Sequence, residues 1–277
     1  MGGLMAASTT RRGVYSSMQI NPQIVSILDR LALQAASMSY TPYSGKAEGV
    51  VVLLEDGAVV NGCRVENASF QLSVSALINA WSTLHAAGRV DVAAIAQNRP
   101  YTEGEKAWLQ AMNEFEWLFP TPTLAVLSDD LPEPSETLLP LLDQDMESAA
   151  SGIALARDIA GLAHTPQSNF PVGCLVRTAD GHVVPGVNVE HEDWANILCA
   201  ERNALSTLIA YGFGPASEIW VACIKEPGGT PCGACRQVIA ELAPDATVWI
   251  DMGDAAPRSI SVPELLPGAF TGAGLRP

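Results

Sequence analysis

The sequence predicts an α/β protein of two tandem αβα sandwich domains, each a mixed sheet covered by helices. Three observations predict it. Residues 74–84, VSALINAWSTL, return 124 positions later as LCAERNALSTL at 198–208. Both halves alternate β-branched apolar runs with helical segments, the pattern of a sheet packed under helices. A chain of 277 residues with 48% hydrophobic content can also bury two cores of about 130 residues each.

The repeat extends well beyond its best stretch. At the offset of 124, Leu31-Ala32 meets Leu155-Ala156, Ser44 meets Ser168, and Gly49 meets Gly173. Asp56-Gly57 meets Asp180-Gly181, Gly62 meets Gly186, and Val65-Glu66 meets Val189-Glu190. Three residues are then gained, so that at offset 127 Gln110 meets Gln237, Glu114 meets Glu241, and Leu138-Leu139-Pro140 meets Leu265-Leu266-Pro267. A constant register across both halves is a tandem duplication, and repeats of this length are domains rather than solenoid units. The linker falls near DQDMESAASG (143–152), which gives domains 18–146 and 147–277.

Each half opens with a helix, over 22–36 and 147–163. Two apolar strands then flank an Asp-Gly turn (GVVVLLEDGAVV and VGCLVRTADGHVV), which favours a hairpin. The repeated helix follows, and in the second half a strand (EIWVACI) comes next. Pro231 opens the following helix, since proline suits a first helical position. A strand (ATVWI) and a tail ending LLPGAF complete the plan.

Composition limits the function classes. No stretch approaches ~20 apolar residues, so no membrane-spanning helix is expected. Residues 1–17 carry Arg11-Arg12 without an apolar run, and Gly2 has Ala6 where a myristoylation signal needs Ser or Thr. The segment reads as a disordered leader, or as lying upstream of a start at Met18. The formal charge is −15, with only three lysines (Lys46, Lys106, Lys225), and such a field repels phosphate backbones. A nucleic-acid partner is therefore not expected. Six cysteines, three of them at ligand-like spacing, read as intracellular thiols and a cytoplasmic location.

Two motifs in the second half carry chemistry: C-A-E-R at 199–202 and P-C-G-A-C-R-Q at 231–237. Cys232 and Cys235 bracket one turn at a helix start, where the positive end of the dipole eases deprotonation. Cys199 sits likewise in the first turns of its own helix. Three thiolates are a soft set for Zn²⁺ that leaves one tetrahedral position open. Glu201 is two residues from Cys199, too close for a comfortable fourth ligand but well placed to carry a proton. A C-x-x-C pair alone equally fits a redox pair or a structural zinc knuckle. Cys63, Cys174 and Cys223 read as core cysteines.

Together, NFPVGCLV (169–176), GVNVE (186–190), CAERNAL (199–205), PCGACRQVIAEL (231–242) and LLPGAF (265–270) resemble the zinc nucleoside deaminases of the cytidine deaminase family. The resemblance covers nearly all of the second half. It implies one Zn²⁺ per chain, held by Cys199, Cys232 and Cys235, which activates a water to attack C4 of a pyrimidine. It implies Glu201 as the proton shuttle, Phe170 against the base, the Ala200 N–H on the carbonyl oxygen, and Asn188 and Glu190 on the ribose hydroxyls. Three thiolates leave the cluster formally anionic, so Arg202 and Arg236 are expected to hydrogen-bond the sulfurs; a surface salt bridge is the plainer role for each.

The first half lacks this chemistry. Lys46 stands for Phe170, Arg64 for Asn188, Ser75 for Cys199, Leu77 for Glu201, Glu105 for Cys232 and Trp108 for Cys235, while Glu66 still matches Glu190. Tetrameric members of the family carry N-A-S-[YF] after the ribose-binding glutamate, reaching a neighbouring subunit's site. Here the first half keeps it as Asn67-Ala68-Ser69-Phe70, and the second has His191-Glu192-Asp193-Trp194. The expectation is that Ala68 and Phe70 are donated to a catalytic pocket and that Phe270 closes a pocket in a partner chain, a homodimer imitating the tetramer. Plain core packing is the other reading of Phe70. The expected substrates are cytidine and deoxycytidine. A deaminase of another cytosine-headed small molecule such as a nucleoside antibiotic, a polynucleotide editor and a non-catalytic zinc-stabilised scaffold stand as alternatives.

Overall fold

A computed structural model describes residues 20–112, 116–144 and 146–275; the leader, Met18 and Glu114 lie outside them. Helix α1 (Pro22–Ala36) starts with Pro22 at its first position and is capped by the Asn21 side chain, which accepts from the Gln23 N–H at 2.9 Å. Its buried stripe of Ile24, Leu28, Ala32 and Ala35 packs on strands β1 (Gly49–Leu54) and β2 (Val59–Cys63). These strands form the expected antiparallel hairpin, with Val52 opposite Val60. Gly57 turns it at φ +87°, a left-handed conformation that favours glycine.

Helix α2 (Ala76–Ala86), strand β3 (Val92–Gln97) and helix α3 (Glu103–Met112) follow. The sheet is completed by β4 (Leu118–Thr121) and β5 (Leu124–Val126) in the order β2-β1-β3-β5-β4. The second lobe repeats the plan with α4 (Ala149–Ala160), β6 (Val172–Thr178), β7 (Val183–Val187), α5 (Ala200–Ala210), β8 (Ala216–Cys223) and α6 (Gly233–Leu242). Strands β9 (Thr247–Ile250) and β10 (Arg258–Ser261) and the short α7 (Val262–Leu265) close it, in sheet order β10-β9-β8-β6-β7. In both lobes α1 or α4 covers one sheet face, and α2 with α3, or α5 with α6, covers the other. Among the described residues no helix is long and apolar enough to cross a membrane.

The sheets differ at one edge. In the second lobe, α6 carries the chain back so that β9 lies parallel to β8, the usual result of a helical crossover. In the first lobe a tight turn at Pro122-Thr123 reverses the chain, β5 inserts beside β3, and the ladders between the described strands are all antiparallel. The second sheet is therefore mixed and the first is not.

The recurring glycines mark close approaches of helix to strand. A Cβ on Gly49 would lie 2.2 Å from the Ala32 carbonyl oxygen, and on Gly173 1.9 Å from that of Ala156. A Cβ on Gly62 would lie 2.4 Å from the Ala80 nitrogen, and on Gly186 2.3 Å from the Ala200 oxygen. Only glycine lets α2 and α5 settle so near their strands.

The lobes meet along α2 and α5, which explains why N-A-x-S-T-L recurs. Asn79 Nδ2 donates to Ser206 O (3.3 Å) and to Cys63 O (3.0 Å). Its counterpart Asn203 Nδ2 donates to Ser82 O (2.9 Å) and to Val187 O (3.0 Å). On the pseudo-twofold axis the hydroxyls of Thr83 and Thr207 share a hydrogen bond of 2.7 Å. All four side chains are fully buried, so each polar atom needs its partner. Replacing Asn203 with alanine leaves two buried carbonyls short of a donor. It is expected to lower the unfolding free energy by about 2–4 kcal/mol in a denaturant titration.

Candidate functional site

The two chemical motifs converge at the ends of α5 and α6. Cys199 is the N-cap of α5 and Cys232 the N-cap of α6, and neither side chain makes a capping hydrogen bond. Pro231 therefore precedes the cap instead of opening the helix. Cys235 lies one turn into α6, almost fully buried. The three sulfurs lie within 4.8 Å of one another. Tetrahedral Zn–S bonds of about 2.3 Å place sulfurs roughly 3.8 Å apart, a spacing within the limits of this cluster. The two helix N-termini favour negative charge on the cluster. Among the three thiols it falls on Cys232, while hydrogen bonds to Cys232 hold the Cys199 thiol above its usual range and those to Cys199 and Cys232 hold Cys235 there. The Cys232 thiol is pulled below its usual range by hydrogen bonds from Cys199 and Cys235, aided by the Cys235 and Ala234 N–H groups. The residues present fit the metal.

Glu201 projects from the first turn of α5 and is 4% exposed. Burial pushes its carboxyl up, against the opposing pull of its own N–H and the Cys235 thiol. Ala200 is the first residue of α5, where an N–H has no acceptor within the helix. A cavity of about 350 Å³ is lined by Cys199, Cys232, Cys235, Glu201 and Ala200 together with Phe170, Asn188 and Glu190. The structure thus gathers eight expected residues around one hollow, of a size suited to a small molecule.

The far wall of this cavity is a turn over 165–170. Glu190 Oε2 accepts from the N–H groups of Gln167 (2.9 Å) and Ser168 (3.1 Å), and Oε1 accepts from the Ser168 hydroxyl. Burial would raise the Glu190 carboxyl, but these donors hold it below its usual range. Asn188 ties the next stretch: its Oδ1 accepts from Val172 N–H (2.8 Å) and its Nδ2 donates to Phe170 O (3.0 Å). Both side chains keep spare bonding capacity, yet both already brace the wall that carries Ser168 and Phe170. Glu66 does the same in the first lobe, accepting from Tyr43 N–H, Ser44 N–H and the Ser44 hydroxyl.

Five expected residues lie outside the cavity. Arg202 Nη2 donates to Leu72 O of the other lobe (3.0 Å). Arg236 donates to Pro231 O (2.7 Å), Thr230 Oγ1 (2.7 Å) and Leu265 O (3.3 Å). Among the described residues neither arginine hydrogen-bonds a cysteine sulfur; Arg236 spends its guanidinium on two carbonyls and a hydroxyl, while the Arg202 Nε is buried without a partner. Ala68 is buried within its own chain, its N–H on Glu241 Oε2 at 2.8 Å. Phe70 is 65% exposed and not core; it lines a separate hollow with Tyr43, Arg64 and Glu66, and its ring meets Tyr43 edge-on. Phe270 is 53% exposed, its backbone held at both ends by the Gln237 amide.

Sequence reading missed other members of the site. Ser168, Ile197 and Thr230 line the cavity, and so does Cys223, which looked like core. The recurrence of Ser168 as Ser44 was the one signal for any of them. It also missed the charges that stand in the corresponding place in the first lobe. At the offset of 124, Glu48, Arg64 and Arg99 stand for Val172, Asn188 and Cys223. Arg64 pairs with Glu48 (3.3 Å) and Glu66 (3.1 Å), while Arg99 pairs with Glu48 (3.0 Å) and clasps Glu105 through two nitrogens (2.7 and 2.9 Å). Burial would raise the Glu105 carboxyl, but Arg99 and Thr102 hold it down. An ion-pair network thus runs through the corresponding place, beside a hollow of about 720 Å³ lined by Ser75, Leu77, Glu105 and Trp108. Trp108, at the register of Cys235, stacks on His191 at 5.7 Å.

Two family models, both described as the cytidine and deoxycytidylate deaminase zinc-binding region, match residues 146–251 and 4–98. The chain is 41% identical over 110 residues to a cytidine deaminase of Halalkalibacterium halodurans, a match covering 39% of this chain and 83% of that protein. It is 34% identical over 120 residues to a cytidine deaminase of Sporosarcina psychrophila, covering 43% and 88%. The crystal structure of cytidine deaminase from Burkholderia pseudomallei superposes with a TM-score of 0.42 at 38% identity, over 44% of this chain and 99% of that one. The chain is expected to take up one zinc, measured by elemental analysis and native mass spectrometry. Cys232→Ser should lose it, while Glu105→Ala in the first lobe should leave the stoichiometry unchanged.

Proposed function

The chain belongs to the cytidine and deoxycytidylate deaminase family, and we propose that it hydrolyses cytidine and 2′-deoxycytidine to uridine and 2′-deoxyuridine with release of ammonia. Residues 147–277 form the catalytic domain and residues 18–146 a non-catalytic one. One observation carries the reading. A buried glutamate stands beside three clustered thiols in a hollow whose opposite wall holds an aromatic ring, an amide and a carboxylate.

Cys199, Cys232 and Cys235 would hold the zinc. When bound, Zn²⁺ supplies a Lewis acid that makes water a nucleophile near neutral pH. The protein does the rest with protons and position. Glu201 takes a proton from the attacking water and delivers it to N3 of the pyrimidine as the oxygen joins C4. It then moves the second proton to the amino group, the C4–N4 bond breaks, and ammonia leaves. Burial suits Glu201 to this exchange, because a carboxyl raised towards neutrality both accepts and returns protons. Phe170 lies along the base, and the Ala200 N–H receives its carbonyl oxygen. Asn188 and Glu190 meet the sugar hydroxyls with the capacity left after bracing the wall.

That both sugar-facing side chains already bond the wall favours a second reading, a deaminase of another cytosine-headed small molecule with looser demands on its sugar. Incubation of zinc-loaded protein with cytidine, deoxycytidine and cytosine-bearing analogues decides between them by loss of the cytosine absorbance band. Glu201→Gln is expected to lower kcat by at least about 10³-fold with zinc retained, since an amide carries no proton. Retained activity would refute the shuttle.

The same reading makes the chain a homodimer imitating a tetramer of single domains, with the exposed rings of Phe70 and Phe270 covered by the partner. Ala68 takes no part in it, being held inside its own chain. Sedimentation is expected to give a dimer, and Phe270→Ala to raise KM for cytidine. A fully active monomer would remove this assembly.

A further inference from the structure

Trp194 occupies the register of Phe70, 124 residues on, so the aromatic of the lost N-A-S-[YF] pattern is retained in altered form. Its ring is 76% exposed, so it is not core packing. Yet its Nε1–H donates to Gln167 Oε1 at 2.8 Å. The loop that presents it is well fixed. Asp193 N–H donates to His191 Nδ1 (2.9 Å), and Asp193 Oδ1 accepts from Ala195 N–H (3.0 Å) at the start of the short helical turn Trp194–Asn196.

Gln167 is therefore gripped twice, its backbone by Glu190 and its side chain by Trp194. The grip falls on a turn that needs holding. Asn169 has φ +50°, the one non-glycine residue in the left-handed region among the described residues. Gly45 takes the same register in the first lobe at φ +65° without that cost. The turn places Ser168 and Phe170 on the wall of the catalytic cavity. In the first lobe the two latch positions are Tyr43 and Phe70, which meet ring to ring at 6.4 Å. The contact persists while its chemistry differs: a loose aromatic pair in the non-catalytic lobe and a directional hydrogen bond in the catalytic one.

We propose that Trp194 is a positioning residue for nucleoside binding, latching Gln167 so that the wall carrying Ser168 and Phe170 is set before substrate arrives. This rests on the deaminase reading, since the nucleoside is its ligand. A wall misplaced in the free enzyme raises KM and spares the proton transfers at Glu201.

Steady-state kinetics with cytidine and amide hydrogen exchange test it on the zinc-loaded protein. Trp194→Phe keeps a ring and removes the donor; Gln167→Leu removes the acceptor. Each is expected to raise KM about three- to tenfold with kcat within about twofold, the range for one hydrogen bond. The double variant should be no worse than either single one, as a shared bond requires. Amides of Gln167 and Ser168 should exchange several-fold faster while Tm is unchanged. Unchanged KM and exchange in Trp194→Phe would overturn the latch, and so would kcat and Tm falling together. A wild-type protein that leaves cytidine intact would sink the deaminase reading alone, because the exchange measurement judges the latch without turnover.

Discussion

The fully buried hydrogen bonds between α2 and α5 are the constraint on which the rest of the molecule depends. Asn79, Thr83, Asn203 and Thr207 reach across the junction to the opposite helix, and the asparagines also hold Cys63 and Val187 of their own sheets. Sheet, helix and neighbouring lobe are thereby tied at one point in each half. Buried amides of this kind tolerate little change, because every lost partner strands a polar atom away from water. At the N-terminal ends of the same helices the constraint is absent, and there the two sequences part company: Ser75 and Leu77 in one, Cys199 and Glu201 in the other. Junction and chemistry lie on one helix but on separate turns, so one turn stayed fixed while the other diverged.

What replaced the chemistry in the first lobe is itself instructive. Where the second lobe has Val172, Asn188 and Cys223 around its thiols, the first lobe sets Arg64 and Arg99 against Glu48, Glu66 and Glu105. Arginine suits this because its planar fork gives two parallel hydrogen bonds to one carboxylate, as Arg99 does with Glu105. Permanent side-chain cations thus tie together in the first lobe the elements that carry thiols in the second. Glu66 and Glu190 are common to both because the turn they hold is needed whether or not anything binds beside it.

Much of this was legible in the residues. The duplication, the Asp-Gly hairpins, the three cysteines and Glu201 follow from local patterns with few alternatives. The edge of the first sheet was not, because Leu118–Thr121 and Leu124–Val126 are too short to declare a direction, and only the turn between them sets it. The arginine network was half visible. Lys46 and Arg64 stand out as charges at pocket positions, but Arg99 faces Cys223, which resembles core and gave no warning. The carbonyl partners of Arg202 and Arg236 were not legible, because spacing along a helix does not say which carbonyls of other elements lie within reach. Trp194 was hidden in a segment that matched nothing, and its significance emerges only from the partner it shares with Glu190.

Joining two lobes in one polypeptide has a kinetic and thermodynamic corollary. Separate subunits hold a junction like that of α2 and α5 only while their concentration exceeds a dissociation constant. A covalent link instead presents each helix to the other at a fixed local concentration that dilution cannot lower. The contact between the two lobes thus becomes a matter of folding, and the organism's expression level no longer governs it.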